Sequence, residues 1–137
     1  MYCYAKVHNW SKCNMKKIYV LGILHDIGYI ENHAGVHHSE KGVEILQQMN
    51  VNEHWLDLIQ NHGHYIKLPS KELELLWLAD MCIDRNGQFE GYENRYASIL
   101  SRYDENDPRL NDVSKIIRHL RQHFPEYSGT NNEEKQI

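Results

Sequence analysis

The chain has 137 residues, 41% hydrophobic and 25% charged, which fits one globular domain and excludes a disordered chain. Its formal net charge of -4 argues against a broad nucleic-acid-binding face, which needs clustered Lys and Arg, while a small anionic substrate stays open because a metal ion supplies local positive charge. Cys3, Cys13 and Cys82 are odd in number and form no C-x-x-C pair, so neither a disulfide framework nor a zinc ribbon is expected, and the setting is read as reducing and cytoplasmic.

Taken in order, the elements are nearly all helical. A first helix is expected over residues 1–11, stopping near Asn14. A second, over 15–25, is strongly apolar, and its β-branched residues would also suit a buried strand. Gly28 permits a sharp turn, and residues 29–37 have no clear period and read as a loop. A third helix starts at His38 or Ser39 and runs through Met49, with Glu40 and Glu44 placed to suit the positive end of its dipole. Asn50 or Asn52 separates it from a fourth, over 53–62, which Gly63 terminates. Pro69-Ser70 opens a fifth, over 71–84, and Asn86-Gly87 closes it. A sixth covers 92–103. Pro108 opens a seventh, through about His123, and Pro125 stops it.

Short connections between six or seven helices predict an all-α compact helical bundle, with a single domain over 1–127 and a polar, frayed tail over 128–137. No internal repeat stands out. There is no charged-then-apolar leader and no run of about 18 apolar residues, so neither a signal peptide nor a membrane span is expected.

The ten histidines are the compositional oddity, and their placement matters more than their number. Positions i, i+3, i+4 and i+7 line one face of a helix. On the second helix that face reads Ile18, Leu21, Gly22, His25; on the fourth Trp55, Leu58, Ile59, His62; on the fifth Leu73, Leu76, Trp77, Asp80. The third begins at His38 and continues through Gly42, Ile45, Leu46 and Met49. Each apolar stripe therefore carries a titratable residue at one end. A single His on an apolar face is usually a hydrogen-bonded core residue. A carboxylate aimed into a core needs a partner or a metal, and three His and an Asp placed alike are better explained jointly, as ligands converging on one ion or an ion pair. Such N and O donors suit Fe, Mn, Co, Ni or Zn, with Mg also possible. Asp26, directly after His25, is placed to share that ion or bridge two.

These residues also carry a resemblance. Leu21-Gly22-Ile23-Leu24-His25-Asp26-Ile27-Gly28 resembles the signature of the HD superfamily of metal-dependent phosphohydrolases, in which an apolar helix ends in His-Asp. His38-Ser39-Glu40-Lys41-Gly42-Val43-Glu44-Ile45-Leu46 is similar to its later H-x-x-x-G-A-x-x-L element, Ile59-Gln60-Asn61-His62 to its I-x-x-H helix end, and Leu78-Ala79-Asp80 to its final L-A-D. The segment from Arg95 to Pro108, with Arg102-Tyr103 and Asp107-Pro108, resembles the C-terminal part of small bacterial members. The resemblance implies an all-α fold with metal between the helices. It maps His25, Asp26 and Asp80 onto the core metal ligands and catalytic residues. It maps His38 and His62 onto the extra histidines of members that hold two metals, a pattern similar to bacterial enzymes that cleave symmetrical dinucleoside polyphosphates.

Two features depart from the family's pattern. A further metal-binding His usually lies about one helix and a loop upstream of His-Asp, roughly two dozen residues or more, which here falls at or before Met1. Either His8, on a shortened first helix, replaces it, or the chain starts late, or the ligand is absent. Tyr29 stands where many members carry Lys, which moves any phosphate-positioning charge to Arg85 or Lys41. His64, two residues past His62, is a third candidate lining the pocket as an acid-base group. His33, His37, His54, His119 and His123 show no usable pattern.

The expected activity is hydrolysis of a phosphoester or phosphoanhydride, in a nucleotide or a similar small phosphorylated substrate, by water activated on one or two divalent ions. The competing reading is a catalytically degenerate HD domain that binds a nucleotide or acts through self-association, with a homodimer as one form. A DNA-binding helical domain is disfavoured by the acidic balance and the absence of a basic stripe.

Overall fold

The computed structural model describes residues 11, 22, 38–84 and 86–129, leaving aside the side chains of 38–40. Gly22 is helical. The rest of the first two expected helices, the turn at Gly28, the loop over 29–37 and the tail after Gly129 lie outside the described residues. Five α-helices follow: α1 (His38–Gln48), α2 (Glu53–Asn61), α3 (Lys71–Cys82), α4 (Tyr92–Arg102) and α5 (Arg109–His123), with a 3-10 turn at Pro125–Tyr127. The fold is all-α. Among the described residues the one extended pairing is an isolated antiparallel bridge between Ile83 and Phe89.

The chain divides into two compact units, one of residues 1–63 and 68–76 and one of 64–67 and 77–137. In the first, α1 packs against α2. Val43, Leu46, Leu56, Leu58 and Ile59 are buried, as are Leu73, Leu75 and Leu76 at the start of α3. Both candidate asparagines are used between α1 and α2. Asn50 takes the left-handed conformation (φ 58°), which Asn tolerates better than most residues. The N–H groups of Asn50 and Val51 donate to the carbonyls of Gln47 and Leu46, both at 3.1 Å, the paired bonds of a Schellman ending. Asn52 then caps α2 by accepting from the His54 N–H at 2.8 Å. Met49, expected on the apolar stripe, is instead 63% exposed, because α1 ends before it. Ser70 opens α3 as expected, its hydroxyl accepting from the Leu73 N–H at 3.2 Å.

In the second unit α4 packs against α5, and α5 against the 3-10 turn. Trp77, Leu78, Met81, Cys82, Tyr92, Ile99, Ile116, Ile117, Leu120 and Phe124 are buried. Taken whole, α3 is buried on nearly every side, at Leu73, Leu75, Leu76, Trp77, Leu78, Met81 and Cys82, so the expected single apolar stripe is too narrow. This helix also ends at Cys82, two residues earlier than expected. The Asp84 carboxylate accepts from the N–H groups of Asn86 and Gln88 at 2.8 and 2.9 Å. Local capture of amides by an Asp side chain competes with helix propagation, and Gly87 (φ 76°) completes the reversal.

Gly91 sits where this reversal meets the chain's last described turn. Its φ is 84° and ψ 152°, a conformation held essentially by glycine alone. A Cβ here would lie 2.5 Å from both the Gly129 Cα and the Ser128 carbonyl oxygen. Gly91→Ala is therefore expected to destabilise the protein by on the order of 2–3 kcal/mol, read as a lower midpoint in urea denaturation.

The α4–α5 connection explains the Arg102-Tyr103…Asp107-Pro108 pattern as architecture. Asp107 accepts from the Arg109 backbone N–H at 2.9 Å and from its guanidinium at 2.6 Å, and that guanidinium lies 4.3 Å from the Tyr103 ring centroid. Further along, Arg121 of α5 grips Glu93 of α4 with two donors, one at 2.9 Å. These bonds hold the Glu93 carboxyl below its ordinary value of 4.5. A depressed carboxyl stabilises the fold above the unfolded pKa and loses that contribution as pH falls through the folded one. Both partners are partly solvated, which limits the pair to about 0.5–1 kcal/mol. Arg121→Ala is expected to lose that much at neutral pH, and its stability curve to converge on the wild type's in acid below pH 4.5.

Candidate metal centre

His62 is the C-cap of α2, brought to the end of the apolar face of Leu58 and Ile59 by helical spacing. It is 3% exposed and, aside from the Trp, Tyr and Cys side chains of the core, the one polar residue buried to this degree among the described residues. Its Nδ1 lies 2.5 Å from the Ile59 carbonyl oxygen. A carbonyl only accepts, so Nδ1 carries a proton, and in the neutral ring Nε2 holds the lone pair. A backbone carbonyl that fixes the tautomer in this way is the usual support of a metal-ligating His. Asp80 is half-buried on the last full turn of α3. The backbone of His38 starts α1. His25, Asp26, His8 and Arg85 lie outside the described residues. Among the described residues no three His, Cys, Asp or Glu form a group suited to a metal ion.

Of the other candidates, Lys41 pairs with Glu44 along α1 at 3.2 Å. His64 is exposed, with Nδ1 3.4 Å from the Asp112 carboxylate, which also accepts from the Tyr65 N–H at 3.1 Å. Cys82 donates to the Tyr127 carbonyl at 3.6 Å, and burial pushes its thiol up to about 12, so it is an inert core thiol rather than a nucleophile.

The histidines without a pattern in the sequence acquire one here. His119 meets the Trp77 ring edge-on at 5.6 Å, and His123 packs against His119 with ring centroids 4.3 Å apart and the planes tilted by 40°. Trp77 in turn stacks on Tyr65, with ring centroids 6.0 Å apart. Beside these rings a surface hollow of about 220 Å³ is lined by Tyr65, Lys115, Arg118, His119 and Gln122. The last four are spaced i, i+3, i+4, i+7 on α5, a signal present in the sequence. Two of the four, Lys115 and Arg118, are cations one turn apart.

The described residues thus define an all-α protein with a buried, tautomer-fixed histidine at a helix end. A family model described as HD domain matches residues 2–89, more than half of the chain and a span that includes every proposed metal ligand. The chain belongs to the HD superfamily of metal-dependent phosphohydrolases, whose members generally bind divalent metals. No curated protein and no solved structure matches it. No helix among the described residues is long and apolar enough to cross a membrane.

Proposed function

We propose that the protein hydrolyses a phosphoester or phosphoanhydride bond in a nucleotide or another small phosphorylated substrate. The observation that carries this reading, within the HD family, is His62: a buried imidazole whose Nδ1 is committed to the Ile59 carbonyl and whose Nε2 is thereby prepared as a donor. The ligand set is His25, Asp26 and Asp80 for one divalent ion, with His38 and His62 added for a second. When bound, such ions supply Lewis acidity to a phosphoryl oxygen and acidify water.

The protein's own part is to hold donors and position substrate. The Ile59 carbonyl locks the His62 ring. Burial of the preceding Leu58 and Ile59 sets a dry boundary, in which electrostatic interactions gain strength. Asp26 and Asp80 are the carboxylates available to orient water. Lys41, Arg85 and His64 are assigned to substrate binding.

The test is turnover of mononucleotides and dinucleoside polyphosphates with Mn, Co or Ni, before and after chelation. Metal-dependent turnover of at least one class is expected. A metal-loaded protein that turns over none of them would favour the degenerate, ligand-binding HD domain.

A further inference from the structure

The hollow on α5 lies largely outside the segment matched by the HD family: only Tyr65 falls within residues 2–89, while Lys115, Arg118, His119 and Gln122 lie beyond it. Its chemistry is cationic. Lys115 and Arg118 project from adjacent positions of one helix face, and neither is paired with a carboxylate among the described residues. Lys115 instead sits 5.9 Å from the Tyr65 ring centroid. The acid one turn before Lys115 is Asp112, and its carboxylate is already engaged by the Tyr65 N–H at 3.1 Å and by His64 at 3.4 Å. The Tyr65 hydroxyl and the Gln122 amide add neutral donors.

The wall is set by packing rather than by solvent-borne side chains alone. Trp77, 1% exposed, stacks on Tyr65 and meets His119 edge-on, so two lining rings are fixed against one buried indole. Size then limits the ligand. Sites for whole drug-sized molecules are roughly 300–1,000 Å³, and this one is about 220 Å³.

We propose that this hollow is an anion subsite that takes a phosphate or diphosphate group of a small phosphorylated ligand, held by Lys115 and Arg118 with Tyr65 and Gln122. Arg presents a planar fork suited to phosphate oxygens and Lys a point charge. That the ligand is a substrate rests on the phosphohydrolase reading; the anion site itself does not. Trp77 and Asp80 are one turn apart on α3, so the indole that supports the hollow and a proposed metal ligand share a helix.

The full chain, stripped of metal and dialysed, is titrated with inorganic pyrophosphate while backbone amides are followed by NMR. Saturable shifts at Tyr65, Lys115, Arg118 and Gln122 are expected. The double variant Lys115→Ala/Arg118→Ala should weaken binding about ten-fold or more and keep its helical content. Lys115→Arg should retain binding, and Asp26→Ala should bind pyrophosphate as the wild type does. The last arm separates this site from the metal centre, so an inactive protein that still shows these shifts supports the subsite and counts only against the hydrolase reading. Absence of saturable shifts, equal binding by the double variant, or tighter binding of a single-stranded oligonucleotide than of pyrophosphate would overturn the proposal.

Discussion

Asp26→Ala is expected to lose the protein's divalent metal and to lower phosphohydrolysis by about a thousandfold or more, to the background of the assay. Asp26 is the carboxylate of the His-Asp pair, and in the proposed site it would ligate the first ion and bridge to a second. Removing a ligand from a metal site removes both the affinity and the chemistry that depends on it. His62→Ala is expected to act more narrowly. It removes a donor assigned to the second ion, so metal content should fall in part while Asp26→Ala abolishes it. Turnover that survives Asp26→Ala and His25→Ala would place the chemistry elsewhere even if the protein is an enzyme.

Trp77→Ala is expected to cost about 3–5 kcal/mol, the range for deleting a buried aromatic side chain. For a chain of this length that is a fall of roughly 10–20 °C in Tm. The indole is fully buried and contacts both Tyr65 and His119, so its loss leaves a cavity and releases two rings of the hollow at once. Its Nε1 has no hydrogen-bond partner among the described residues. Trp77→Phe removes that unsatisfied donor while keeping a ring, and an unmade buried hydrogen bond is itself unfavourable. The phenylalanine variant should therefore lose less than half as much stability. Equal losses in the two variants would mean that the indole N–H matters, contrary to this account.

Helix boundaries were legible wherever a side chain with a defined job marked them. Asn50 and Asn52 read as alternatives in the sequence, yet one ends α1 in the left-handed conformation and the other caps α2. Ser70 marks the start of α3 for the same local reason, and at α5 the Asp107 carboxylate beside Pro108 accepts from the Arg109 N–H. Asp84 shows the limit. Whether an Asp continues a helix or captures the following amides depends on Gln88 and Gly87 closing the reversal, a contest that periodicity does not score. The burial of α3 on nearly all sides is likewise set by what surrounds it, and one apolar stripe read along the chain underestimates it.

The candidate site was legible in a different sense. His62 and Asp80 could be placed at the ends of apolar faces from spacing alone, and the burial and carbonyl bond of His62 agree with that placement. The His25-Asp26 pair stands on its motif and on the family match over residues 2–89. The hollow was missed for a reason of scale. Lys115, Arg118 and His119 are three charges or near-charges in an acidic chain, and net composition hides a local face. Only the contact of that face with Tyr65, 50 positions earlier in the sequence, turns a solvated helix surface into a lined recess.

The most direct test of the central claim is the metal content of the full chain. The protein is purified and reconstituted anaerobically with Mn, Fe, Co, Ni or Zn, passed over a desalting column and measured by elemental analysis beside Asp26→Ala. The account predicts about one or two ions per wild-type chain and none in the variant. A wild-type chain that retains no metal, or a variant that retains as much as the wild type, would contradict it.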